Sequence, residues 1–330
     1  MKKILIILIV LCLFVTGCRG DSESSVLKSI EKKFNNSSGY KLKGKLSVNN
    51  NDDVYNYNVE VLYKKKDNYR VKLTNTASNL TQIILKNTDG VYVLTPSLNK
   101  SFRFQSDWPY NNSQIYLLDA VINDIKKDNN RKYKKINNKY VFTTKVNYPN
   151  NSKLKEEKIV FSNKKMLEKV SVYDKNGVEA MSMSFDKIKY SPKYNKNDFK
   201  IDSIIDKKNI DEVKETSSLE DVIYPLFLPK NTKLVSEEKV KKTNGERVIM
   251  NYDGDKSFLL VEETADVFNE FTIIPTSGEP FIVMDTLGVM TNNSLSWTSG
   301  GIDYYLVSEV MNQDEMLEVA QSINGIVSIK

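Results

Sequence analysis

From Tyr40 the chain alternates apolar and polar residues with period two. The runs are Tyr40, Leu42, Gly44, Leu46 and Val48, then Tyr55, Tyr57, Val59, Val61 and Tyr63, then Tyr69, Val71 and Leu73, each bounded by Asn/Asp-rich turns. Three successive amphipathic strands with short turns require an antiparallel sheet, one face buried and the other lined by lysines. Further strands are predicted at 80–85, 91–94, 102–104, 140–146, 158–161, 167–173 and 179–190. Two helices punctuate them. One spans 24–35, with Val26, Leu27, Ile30 and Phe34 at helical spacing, and the other carries the stripe Ile115, Leu117, Leu118, Val121, Ile122 and Ile125. Helix, six strands, helix and four strands describe one long sheet with helices on one face, and a sheet of that many strands curls.

The chemistry open to this chain is narrow. It has 330 residues and no histidine, which removes the commonest general base and the commonest metal ligand. The two cysteines, Cys12 and Cys18, sit at no metal-ligand spacing. Asp253-Gly254-Asp255 is followed by Phe258, Leu259 and Leu260 where a calcium loop needs oxygens, so it reads as a turn. Glu262 and Glu263 are adjacent on a predicted strand and point to opposite faces, which rules them out as a carboxylate pair. No catalytic residue, metal or cofactor is assigned, and the expectation is a protein that is not an enzyme.

Charge divides the chain. Residues 1–210 contain 39 Lys and Arg against 21 Asp and Glu; residues 211–330 contain 9 against 21. Two units follow, a basic one over 24–205 and an acidic one over 217–330, joined by a linker at 206–216. In the second unit, 217–224 reads as one or two helical turns leading to Pro225-Leu226-Phe227-Leu228-Pro229. Strands are predicted at 233–240, 247–252, 258–263, 280–284, 287–290, 295–298 and 302–307, with a closing helix at 312–323. Asn244-Gly245 and Asp253-Gly254 are hairpin signals.

The first residues, MKKILIILIVLCLFVTGC, join two lysines to an apolar run too short for a comfortable permanent span. Val15, Thr16, Gly17 and Cys18 resemble the bacterial lipobox. The resemblance implies a signal peptide at 1–17, cleavage before Cys18, lipid on the Cys18 thiol, a polar tether at 18–23, and a place on the outer face of the cytoplasmic membrane. Cys12 leaves with the signal segment, so the mature chain would have no free thiol.

The order of elements over 24–205 resembles the LolA/LolB lipoprotein-localisation family. That resemblance implies an α+β fold: an unclosed antiparallel β-barrel with covering helices around an apolar cavity, followed here by a smaller α+β domain. Trp108-Pro109-Tyr110, leading into a helix, is similar to sporulation and germination lipoproteins of spore-forming Gram-positive bacteria. The second half, through Tyr224-Pro225, the hairpin pair, Trp297 and Gly300-Gly301, distantly resembles the second domain of RseB and MucB. These likenesses imply a binding or regulatory lipoprotein of the envelope, with a cell-wall amidase as a candidate partner. A carrier of acyl chains and an RseB-like sensor are the alternatives.

Two surface readings stay open. Tyr55, Tyr57, Tyr63, Phe102, Phe104 and Trp108 either pack the interior or line an apolar groove able to take a lipid or acyl ligand. The basic clusters at 64–66 and 131–135 either face solvent or meet an anionic surface near the anchor; an exported, lipidated protein is not expected to meet nucleic acid.

Overall fold

The structure, a computed structural model, describes residues 21–323 except 51–52, 110–113, 147, 149–150, 206–218, 220 and 244. The signal segment, Val15, Thr16, Gly17, Cys18, Tyr110, Asn244 and the linker 206–216 lie outside the described residues. Helix α1 (Glu23–Asn35) starts at Ser22, whose hydroxyl accepts from the Ser25 amide, and buries Val26, Leu27 and Ile30. Strands β1 (Gly39–Asn50), β2 (Asp53–Lys64), β3 (Asn68–Asn75), β4 (Thr81–Asn87), β5 (Gly90–Thr95) and β6 (Lys100–Phe104) follow as an antiparallel meander. Helix α2 (Leu118–Lys127) buries Leu118, Val121, Ile122 and Ile125, as the apolar stripe requires.

Five strands come next where four were expected: β7 (Lys132–Ile136), β8 (Lys139–Lys145), β9 (Leu154–Phe161), β10 (Leu167–Asp174) and β11 (Glu179–Tyr190). The additional strand is β7, Lys-Tyr-Lys-Lys-Ile. It lies at the edge of the sheet and is mostly exposed, so nothing selects apolar alternation there. Its pairing to β8 is set instead by Asn137 and Asn138, both at positive φ, a two-residue hairpin turn of the kind that favours Asn. Strand β11 returns to pair with β1, so the sheet is one continuous ribbon without closure.

The second half forms a seven-stranded antiparallel sheet from β12 (Lys233–Lys242), β13 (Gly245–Asp253), β14 (Phe258–Thr264), β16 (Glu279–Val283), β17 (Thr286–Met290), β18 (Ser294–Ser299) and β19 (Ile302–Val307). A short helix, α3 (Ile201–Ile204), precedes it, and α4 (Gln313–Gln321) covers it. The cap of α4 is reciprocal. Asn312 accepts from the Glu315 amide while Glu315 accepts from the Asn312 amide, both at 2.9 Å. The helical turn expected before Pro225 is absent among the described residues: Leu219 and Asp221–Tyr224 are not helical, and the Ile223 amide is tied to Glu262 rather than to a helical carbonyl.

One strand crosses between the halves. β15 (Thr272–Thr276), not among the strands predicted from the sequence, pairs in parallel with β6 and extends the first sheet to twelve strands. Pro275 fits there because an edge strand leaves some amides without a ladder partner. Other bonds hold the halves together: the Tyr57 hydroxyl donates to the Met284 carbonyl at 2.5 Å, and Lys153 pairs with Glu318. The fold is therefore mostly β, two unclosed sheets with few helices.

The first sheet has two different faces. Its inner face, with α1 and α2, carries the large core. On the outer face Ile83, Leu85, Tyr92 and Leu94 of β4 and β5 meet Phe199, Ile201, Ile204 and Phe271, and Arg70 of β3 donates to the Asp198 carbonyl at 3.0 Å.

Candidate functional site

Alternation decides that the predicted groove aromatics point inward, and the structure decides what they do there. Tyr40 packs on Tyr63 at 5.0 Å between ring centroids, Tyr63 on Tyr69 at 4.6 Å, and Tyr69 meets the edge of Trp108 at 5.6 Å. Trp108 is wholly buried, and Tyr57, Tyr63 and Phe104 are buried with it. Phe102 and Tyr55 are half-buried at the margin, Tyr55 touching the cores of both halves. Under the curled sheet these rings pack against one another as a ladder.

That ladder is fixed at its centre by Asp119, in the first turn of α2. Its two carboxyl oxygens accept from the hydroxyls of Tyr40 and Tyr69, each at 2.8 Å. Burial raises the Asp119 pKa above the ordinary carboxyl value, while the two tyrosine bonds pull it back. Burial also pushes both tyrosines upward, and Tyr63 to about 12.

An open cavity of about 440 Å³ lies elsewhere, between the two sheets. Of the six sequence-predicted groove residues only Phe102 lines it. Its apolar wall is Ile249, Leu259 and Val261 from β13 and β14, with Leu287 opposite. Two ion pairs border it, Lys100 with Asp303 at 3.1 Å and Arg247 with Glu263 at 2.5 Å. Gln82 stitches the halves at one end, accepting from the Leu287 amide at 2.5 Å and donating to the Leu287 carbonyl at 3.2 Å. These residues are far apart in sequence. The available signal was the unbroken apolar runs 248–250 and 258–261, which mark strands buried on both faces.

The cavity lining carries two carboxylates, Glu263 and Asp303. Both of its carboxylates are matched by a cation, and the chain has no imidazole to serve as a base. Asp253-Gly254-Asp255 is a turn: Gly254 donates to Asp253 at 2.9 Å, and Asp255 accepts from Asn231 at 2.8 Å. A side chain at position 254 would sit 1.9 Å from the Asn231 carbonyl oxygen, which explains the glycine. Among the described residues no cluster of His, Cys, Asp or Glu is arranged for a metal, and no helix is long and apolar enough to cross a membrane.

Glu262 and Glu263 do diverge as the strand geometry demands. Glu263 meets Arg247, whereas Glu262 turns into the core, where one oxygen accepts from the Ile223 amide at 3.0 Å and the other has no partner among the described residues. Burial, with Glu237 nearby, pushes Glu262 up to about 7. The folded state therefore holds this proton where the unfolded chain has lost it, and stability falls as pH rises from about 4.5 to about 7. We expect Glu262→Gln to remove up to about 3 kcal/mol of that dependence, seen as urea midpoints that no longer decline across this range. A decline identical to that of the unmodified chain would reject the assignment.

A family model described as sporulation protein YdcC-like matches residues 1–199. Sporulation protein YdcC of Bacillus subtilis (strain 168) is 35% identical over 316 residues, which cover 95% of this chain and 94% of that protein. Among solved structures, the Pseudomonas aeruginosa MucA/MucB complex aligns over 91% of this chain and 98% of the solved chain, at 12% identity and a TM-score of 0.31. The GerS lipoprotein, solved with the CwlD amidase of Clostridioides difficile, aligns over 55% of this chain and all of that one (100%), at 20% identity and a TM-score of 0.32. A LolA superfamily protein from Nitrosomonas europaea covers 56% of this chain and 100% of its own length, at 15% identity and a TM-score of 0.31.

Proposed function

The chain belongs to the sporulation protein YdcC-like family, and on that premise we propose that it is a lipid-anchored, non-catalytic sporulation protein of the cell envelope that works through its surfaces. The observation that carries this reading is the packed ring ladder of the interior. Tyr40, Tyr63, Tyr69 and Trp108 occupy the space in which a carrier would hold an acyl chain. The basic, apolar start and the Val15-Thr16-Gly17-Cys18 sequence support anchoring through Cys18. The absence of histidine and the neutralised carboxylates of the inter-sheet cavity support recognition over catalysis.

The favoured partner class is a protein of the envelope, and within it a wall-processing amidase. That choice is supported by the likeness of Trp108-Pro109-Tyr110 to spore lipoproteins. Deleting the gene in the native spore-former should lower the count of heat-resistant spores. The intact chain should restore it and Cys18→Ala should not. Full sporulation without the gene, or full rescue by Cys18→Ala, would reject the anchored sporulation role.

A further inference from the structure

We propose that the free edge of β12 pairs with β12 of a second copy of this chain, antiparallel and centred on Lys239. Four strands end the two sheets, β7 and β15 the first, β12 and β16 the second. An unpaired edge invites another strand, and proteins blunt it by shortness, proline or charge. β7, β15 and β16 have five residues each, and the latter two contain Pro275 and Pro280. β12 has ten residues and no proline. Residues 233–241 are all exposed, Leu234, Val235 and Val240 among them, and no described residue hydrogen-bonds to the outer backbone edge of the strand.

The order of charges names the partner. Along 237–242 glutamates come first and lysines follow, so a reversed copy of the strand meets opposite charge, whereas lysines alone would guard the edge. Among the described residues Lys242 is the only β12 charge in an ion pair, with Glu263 and Asp266. The Tyr224 hydroxyl donates to Glu237 at 2.6 Å and holds that carboxylate in place.

Symmetry then selects the register. Two identical antiparallel strands close into a pair about a twofold axis normal to the sheet, which keeps each face on its own side, so the axis falls on a residue. With the axis on Lys239, Glu237 faces Lys241 of the second copy, twice over, and Ser236 faces Lys242. The two Lys239 side chains lie diagonal to Glu237 across the pair, within its reach. An axis on Val240 would oppose Lys239 to Lys241 twice. An axis on Glu238 would stack that residue on itself and run the pairing into the register shift between Leu234 and Ser236. From Ser236 to Lys242 the ladder to β13 is regular, and this is the stretch the pairing uses. A single strand pair is a small interface, which places the complex in the weak, transient class, formed at about 100 μM protein and lost on dilution.

The test is sedimentation of the full mature chain in density-matched detergent, from about 1 to about 200 μM, with oxidative cross-linking alongside. The mass should rise toward that of a dimer over this range. Glu237→Lys should keep the chain monomeric, because two attractive pairs become repulsive, and Glu237→Lys combined with Lys241→Glu should restore the rise. Melting temperatures serve as the folding control. On oxidation Lys239→Cys should link into a dimer, whereas Ser236→Cys, ~20 Å from its own copy in this register, should not. The parent chain reports any link through Cys18. A mass that stays monomeric at the highest concentration would overturn the proposal. So would a dimer indifferent to both charge variants, or linking through Ser236→Cys as readily as through Lys239→Cys.

Discussion

Asp119→Ala is expected to destabilise the protein by about 3–5 kcal/mol, one of the largest effects of any single polar substitution in the first sheet. Asp119 is the acceptor for two buried hydroxyls, Tyr40 and Tyr69, each at 2.8 Å. Tyr40 in turn accepts from the Leu118 amide at 3.1 Å, so the same group seats the start of α2 on β1 and β3. Removing the carboxyl leaves both hydroxyls without an acceptor in a dry interior, and each such loss costs roughly 1–3 kcal/mol. Tyr69→Phe removes only one donor and should cost about 1–2 kcal/mol. Because burial raises the pKa of Asp119, ionising it opposes folding as pH rises. Asp119→Asn should accordingly lose less stability than Asp119→Ala and show a flatter pH dependence. Urea unfolding at two pH values checks all three variants, and an Asp119→Ala midpoint unchanged from the parent would remove the latch from the account.

Trp108→Ala should cost a similar amount, about 3–5 kcal/mol, for a different reason. The indole is wholly buried against Tyr69, and its nitrogen makes no hydrogen bond among the described residues. The backbone of Trp108 keeps its contacts, the amide donating to Ser106 at 2.9 Å and the carbonyl accepting from Lys86 at 2.8 Å. The loss is therefore one of packing alone, and the variant should hold an apolar cavity in place of the indole. An environment-sensitive apolar dye should brighten with folded Trp108→Ala and not with the parent. Equal brightening with both proteins would mean that the interior was already open.

Particular residues show how much of this could be read beforehand. The period-two runs at 40–48, 55–63 and 69–73 place β1, β2 and β3 because each face of those strands has its own solvent. Strand β7 escaped because both of its faces are largely wet, and its only local mark is Asn137-Asn138. β15 escaped for another reason: its partner β6 is more than 160 residues away in the sequence, and no local pattern encodes a parallel pairing at that distance. Alternation likewise assigned Tyr57, Tyr63 and Phe104 to the inside. It could not say whether they surround a void, because that depends on how fully α2 and Asp119 fill the opposite wall. The cavity between the sheets is a product of tertiary assembly. Lys100 and Asp303, separated by 203 residues, meet only once both sheets are in place.

The function proposed above is that of a protein working through its surfaces. The carrier alternative demands a loaded interior, so it parts from this account at one observable. Native mass spectrometry of the full mature chain, with its covalent lipid established separately and the protein released gently from detergent, measures that observable directly. A single species at the mass of the lipidated polypeptide is the result expected here. A reproducible additional acyl-chain or lipid adduct, lost on unfolding, would contradict it.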